Sequence, residues 1–330
     1  MASKPSIGGQ AVMEGVMMRG PVSWGVAVRK PNREIHVETH PLPGHNDRHK
    51  WLKWPFFRGV YVLVESLSIG MRALKISANV ALEDEVEKPP DKAINWSMGV
   101  AMVFISAIFI AVPALISKVG GARLGVRGDL LQNIFEGVIR ISFFLGYILL
   151  ISLIPDIRRV FMYHGAEHKT IYAYENGDPL EPEVVDRYST LHVRCGTNFL
   201  FIVMFLTIIG HFVLDVALQG FPVWTKIVAR ILVIPILAGS SYEVIRAAGR
   251  NDKSIIFRTA SFPGLMLQKI TTRPPTHDQI EVAIKAMEAV IEREALAEPV
   301  GEAETVTISE PASVTGRSLR PEPGPAGATP

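Results

Sequence analysis

Four windows of 20–22 residues, at positions 96–117, 133–154, 199–218 and 224–245, carry few charged side chains. As helices, each is long enough to cross a hydrocarbon core of ~30 Å at ~1.5 Å per residue. Backbone groups inside lipid must satisfy one another, which makes helices the natural spanning element. The 330-residue chain is therefore expected to be mainly α, a polytopic α-helical membrane protein with four transmembrane helices in contact with the lipid bilayer.

Basic residues orient such spans. Arg158, Arg159, Lys169, Arg187 and Arg194 follow the second window, and Arg246, Arg250, Lys253 and Arg258 follow the fourth. The other side holds Lys118, Arg123, Arg127 and Lys226. The bias places both termini and the 155–198 loop in the cytoplasm. A formal net charge of +2 gives no nucleic-acid footprint. A single cysteine excludes an internal disulfide framework and suits a reducing compartment. Residues 1–20 lack a basic region followed by an apolar run, so no cleaved signal peptide is expected.

Around these spans the chain divides into further segments. Residues 1–50 hold a glycine-rich stretch and then two β-type runs, at 24–29 and 34–39, joined by the turn residues Lys30-Pro31-Asn32-Arg33. This predicts a small N-terminal β-hairpin element. The glycines at 8, 9, 15 and 20 break any helix and let the backbone approach something closely. His40, His45 and His49 read as a solvated polar link. Residues 51–92 contain a helix over 56–82 whose charged stripe, Arg58, Glu65, Arg72 and Lys75, suits the membrane surface or the side of a bundle. The bundle with its loop occupies 93–250. Residues 251–296 hold C-terminal cytoplasmic helices, with an interfacial turn and short helix near 261–267. A capping box then opens at Thr276, followed by a docking stripe of Ile280, Ile284, Met287 and Ile291. Residues 297–330 have little to bury and are expected to be disordered.

The 155–198 loop concentrates the chemistry. His164, Glu167 and His168 share one face of a helix, in the His-x-x-Glu-His spacing of inverted zincins, where two imidazoles hold a metal and the carboxylate acts as base. His192 or Cys195 would complete three protein ligands, the arrangement that leaves a catalytic metal an open position. Glu243, on the same side of the membrane, is an alternative third ligand. Arg194 or Arg19 could steady a developing negative charge, and Glu14 belongs to the same cytoplasmic face. Zinc is favoured among divalent metals if Cys195 ligates. Against this stands the bland reading, in which these polar residues only hydrogen-bond loops and headgroups and Cys195 is a small buried apolar group. A second cluster lies within the spans, where Glu136, Arg140, Asp215 and Arg230 are expected to form ion pairs, since charges there are costly unless paired.

Three stretches carry a family resemblance: residues 8–21 from Gly8 to Pro21, His164-Gly-Ala-Glu167-His168-Lys-Thr170, and His192-Val-Arg194-Cys195-Gly-Thr197. They resemble the signatures of the YqhQ family of bacterial integral membrane proteins, over roughly residues 7–291. The resemblance implies a multi-pass protein of the bacterial inner membrane and carries the label of a predicted metal-dependent enzyme. Likeness to inverted zincins is confined to five residues and does not extend to their soluble fold. Two functions follow as expectations. One is a divalent-metal-dependent hydrolase acting on a lipid or membrane-peptide substrate. The other is a non-enzymatic scaffold or assembly factor whose cytoplasmic cap binds a protein partner.

Overall fold

The computed structural model describes residues 5–42, 54–82, 91–126, 129–250, 255–296 and 304–307. The N-terminal part is a meander of β1 (Gly8–Val12), β2 (Gly15–Arg19), β3 (Ser23–Arg29) and β4 (Ile35–Pro41), all antiparallel. The expected hairpin is β3–β4. The glycine-rich stretch before it contributes two further strands, with β1 and β2 joined by a turn at Met13-Glu14 in which Glu14 has φ 50°. A short strand β5 (Glu304–Thr307) pairs with β4 along the edge of the sheet. The remainder of 297–330, for which disorder was expected, lies outside the described residues, as do His45 and His49. His40 belongs to β4 instead of a polar link, and its ring stacks on Trp24 at 4.2 Å.

Alternation along the strands gives the sheet two apolar faces. Val16, Met18, Ala27 and Val37 face α4 (Pro155–Asn176) and α9 (His277–Leu296), which buries Ile280, Ile284 and Met287 there. Gln279 Oε1 accepts from the Thr276 backbone N–H at 3.0 Å, as the capping box requires. Met17, Trp24, Val26 and Val28 face α1 (Phe57–Ala81) through Ile69 and Ala73. The sheet is thus the middle of three layers. It forms a cap joined to the apolar helices through α1, which packs on α7.

Four helices are long and apolar enough to span a membrane. They lie within α2 (Asp91–Arg123), α3 (Asp129–Ile151), α6 (Gly196–Ala217) and α7 (Val223–Arg250), with the one-turn helix α5 (Pro182–Val185) in the loop before α6. Between 6% and 11% of each apolar window is buried by the chain itself, so these helices do not wrap around an interior. Their principal contacts run in a row, α2 to α3, α3 to α6, α6 to α7, and α7 to α1. The last contact is close because Gly59 of α1 lies against the backbone of Gly239 in α7. Arg58 and Glu243 pair across it. At the cap end, α8 (Ile255–Thr271) packs on α3 and α6 and is longer than the short helix expected near 261–267. It approaches α6 closely at Gly264, which faces Asn198.

Candidate metal centre

Pro155 starts α4 at its first helical turn, where its missing N–H is not needed, and Gly177 ends it at φ 81°. Between them the 3.6-residue repeat sets His164, Glu167 and His168 on one side of the helix. A sharp contact seats this side. A Cβ at Gly165 would lie 2.1 Å from the Arg273 carbonyl oxygen, so only glycine lets the chain after α8 cross α4 here.

That crossing orients the first histidine. His164 Nδ1 lies 2.9 Å from the Thr271 carbonyl, and its Nε2 is 3.1 Å from Cys195 Sγ. His168 Nδ1 lies 2.5 Å from the Thr190 carbonyl, while its Nε2 is buried with no partner among the described residues. A carbonyl only accepts, so both Nδ1 atoms carry the proton, and in the neutral rings both Nε2 atoms present a lone pair. The two rings meet edge to face at 4.4 Å. Cys195 caps the N-terminus of α6, its sulfur accepting from the Thr197 N–H at 3.5 Å and the Thr197 hydroxyl at 3.3 Å. One ligand atom from each of His164, His168 and Cys195 lies within 4.8 Å of the others.

Electrostatics follow from burial. Desolvation lowers the His168 pKa and keeps its ring neutral. Burial pushes the Cys195 thiol up, but interactions with His168 and Thr197 outweigh it and leave the pKa below its ordinary value. Glu167 is 4% exposed, lies under Gly9 of β1, and makes no hydrogen bond among the described residues. Desolvation is the largest influence on it and raises its pKa to about 8, opposed by His164 and assisted by Cys195.

The other residues named from the sequence lie elsewhere. His192 has its ring 5.6 Å from that of His168 but outside the converging trio. Its Nδ1 accepts from the Arg194 N–H at 3.3 Å and its Nε2 lies 3.6 Å from Glu175, so the nitrogen left for a metal is turned toward a carboxylate. Arg194 pairs with the same Glu175. Arg19 pairs with Glu65 and Ser66 on α1. Glu14 takes two hydrogen bonds from Arg159, at 2.6 and 2.5 Å. Glu243 is held by Arg58. In each case a nearer opposite charge claims the side chain. Thr190 and Thr271, whose carbonyls aim the histidines, left no mark in the sequence, because any residue supplies a carbonyl. Gln268, which holds the His192 backbone through 2.7 and 2.8 Å bonds, was missed for want of any motif.

Within the spans the expected ion pairs form as two separate pairs. Glu136 and Arg140 meet within α3 at 2.5 Å, and Asp215 and Arg230 join α6 to α7 at 2.6 Å.

Fold and site together define a helical membrane protein with four apolar spans and a β-containing cap that carries a histidine–cysteine cluster. The chain belongs to the family described as protein of unknown function (DUF1385), whose profile matches residues 54–293. It is also 32% identical over 307 residues to the uncharacterized protein YqhQ of Bacillus subtilis (strain 168), a match covering 89% of this chain and 95% of that protein. No solved structure matches it.

Proposed function

We propose that the chain is a metal-dependent hydrolase of the bacterial inner membrane. A divalent ion would be held by His164, His168 and Cys195, at the level where the cap meets the inner leaflet. One observation carries this reading: both imidazoles spend Nδ1 on backbone carbonyls, leaving two Nε2 lone pairs that converge with a thiol sulfur on one part-buried spot. Imidazoles that donate their other nitrogen to a carbonyl are the usual outer support of metal ligands. An unpartnered buried His168 Nε2 also costs free energy unless something accepts its lone pair. The donor set of two nitrogens and one sulfur suits zinc.

A bound divalent ion would supply Lewis acidity toward a carbonyl or phosphoryl oxygen. The chain's own groups would do the rest. Thr271 and Thr190 would fix the tautomers, and Glu167 would accept and return a proton from the same helix face. Gly9 and β1 would close one side of that carboxylate and leave it to face the metal side. His164 and Cys195 are half-buried where His168 is closed, so a substrate would approach from their side, at the end of the chain's apolar spans, since Cys195 caps the spanning helix α6. That position at the end of a span favours a lipid or membrane-peptide substrate over a small solute. The deciding experiment is elemental analysis of purified protein beside a His164→Ala/His168→Ala variant. About one equivalent of metal lost in a still monodisperse variant supports the reading. No metal in either, after purification without chelator, rejects it.

A further inference from the structure

The row of spans leaves a membrane problem unsolved within one chain. Arg140 lies nine residues beyond Leu131, about 13 Å along α3, and Arg230 six residues beyond Trp224, about 9 Å along α7. Both line one cleft together with Glu136 and with His211 of α6. The cleft is lined by α3, α6 and α7 alone. Side-chain exposures of 24% for Arg140, 19% for Glu136 and 32% for Arg230 would set charged groups directly against lipid tails. Arg140 Nε, Arg230 Nε and His211 Nε2 also lack partners among the described residues. Charges at such depth face a bundle interior or an aqueous cavity, and here the row supplies neither.

We infer that a second copy of this chain covers this face, making the α3–α6–α7 surface a homodimer interface. Charge decides among the occupants. Apart from the His211 imidazole, the cluster has two cations, Arg140 and Arg230, and two anions, Glu136 and Asp215, each cation paired with an anion, so it offers no surplus of either sign. Equal numbers of both signs are what a self-facing surface needs, because a two-fold axis brings one copy's cations to the other's anions. Each internal pair engages one carboxylate oxygen, Glu136 Oε1 and Asp215 Oδ2, and Glu136, which lines the cleft and is partly exposed, keeps its second oxygen for the neighbour's guanidinium. Ile227 and Ile234, three and four residues from Arg230, share its side of α7 and are exposed. They would form the apolar rim of the contact.

The test counts subunits of the full chain in liposomes by single-molecule photobleaching over a range of protein-to-lipid ratios. The wild type is expected to bleach in two steps. Arg230→Asp, which leaves three anions and one cation, should weaken association at least about tenfold, and the exchanged variant Asp215→Arg/Arg230→Asp should restore it. A photocrosslinker at Ile227 in the otherwise unchanged chain should join two copies, whereas one at Leu232, on the opposite side of α7, should not. This arm does not depend on the charge variants folding. A monomeric wild type, a dimer indifferent to Arg230→Asp, or crosslinks from Ile227 only to lipid or to a different protein would overturn the inference.

Discussion

Gly9 lies directly over Glu167. A Cβ at position 9 would sit 2.7 Å from Glu167 Cγ and 2.8 Å from its Oε1. The motif around Gly9 and the motif around His164 are therefore two halves of one contact between β1 and α4. Gly9→Ala should lower the unfolding free energy by about 1–3 kcal/mol through overpacking. Gly8→Ala, where a Cβ would meet nothing within 4 Å, should leave it nearly unchanged. Thermal unfolding of the two purified variants side by side checks this, and equal melting would remove Gly9 from the site.

The ligand set can be sorted by stoichiometry. His164→Ala, His168→Ala and Cys195→Ala should each lose bound metal. His192→Ala should retain it, because that ring is engaged with Arg194 and Glu175. Glu243→Gln should also retain it, at the cost of the α1–α7 ion pair alone, worth about 0.2–1 kcal/mol at a half-exposed site. Elemental analysis of the five variants would show which residues hold the ion, and metal loss in His192→Ala would redraw the centre.

A pH dependence follows from Glu167. Burial raises its folded-state pKa to about 8, well above the ordinary carboxylate value of 4.5. Between these values the folded chain keeps a proton that the unfolded chain has released. The stability this group permits is intact below pH 4.5 and is lost as pH rises toward 8, with a limiting slope of about 1.4 kcal/mol per pH unit. Chelator-treated wild type should therefore lose stability across this range relative to Glu167→Gln, which removes the ionisation. Parallel pH profiles for the two proteins would mean that the carboxylate is not held protonated. In the metal-loaded protein, Glu167→Gln should keep the ion and lose turnover.

The approach of α8 to α6 at Gly264 should be equally intolerant. An added Cβ would lie 1.7 Å from Asn198 Oδ1 and 2.9 Å from Asn198 Cα, so side-chain rotation alone cannot relieve it. Gly264→Ala should push α8 outward and carry the Thr271 carbonyl away from His164. The expected result is weaker metal retention on dialysis as well as lower thermal stability. Retention equal to wild type would show that the Thr271 contact does not orient the ring.

The spans were legible because their signal is length and apolarity, which tertiary structure cannot hide. The β3–β4 hairpin was legible from its Lys30–Arg33 turn, and the α9 stripe from its 3.6-residue repeat. The strands β1 and β2 were not, since glycine weakens a strand pattern. What the sequence conveyed there was only a close approach, and the structure supplies its partner, Glu167. At the site, the i,i+4 spacing of His164 and His168 determined their common face. Spacing could not choose between His192 and Cys195, which lie three residues apart on one loop. That choice depends on Cys195 capping α6 while the His192 ring turns to Glu175. Charge claimed Arg19, Glu14, Arg194 and Glu243 for other contacts, and no local pattern reveals which carboxylate or guanidinium will be nearest in space.

Cys195 is also the first residue of a rod. The helix it caps, Gly196–Ala217, is 22 residues long, about 33 Å from end to end. It reaches Asp215 and its salt link to α7 on the far side of the row. A helix of that length fixes the separation of its ends, so the place of the sulfur and the place of the Asp215 salt link are set together. The thiol and the α6–α7 salt link are thereby the two ends of one strut.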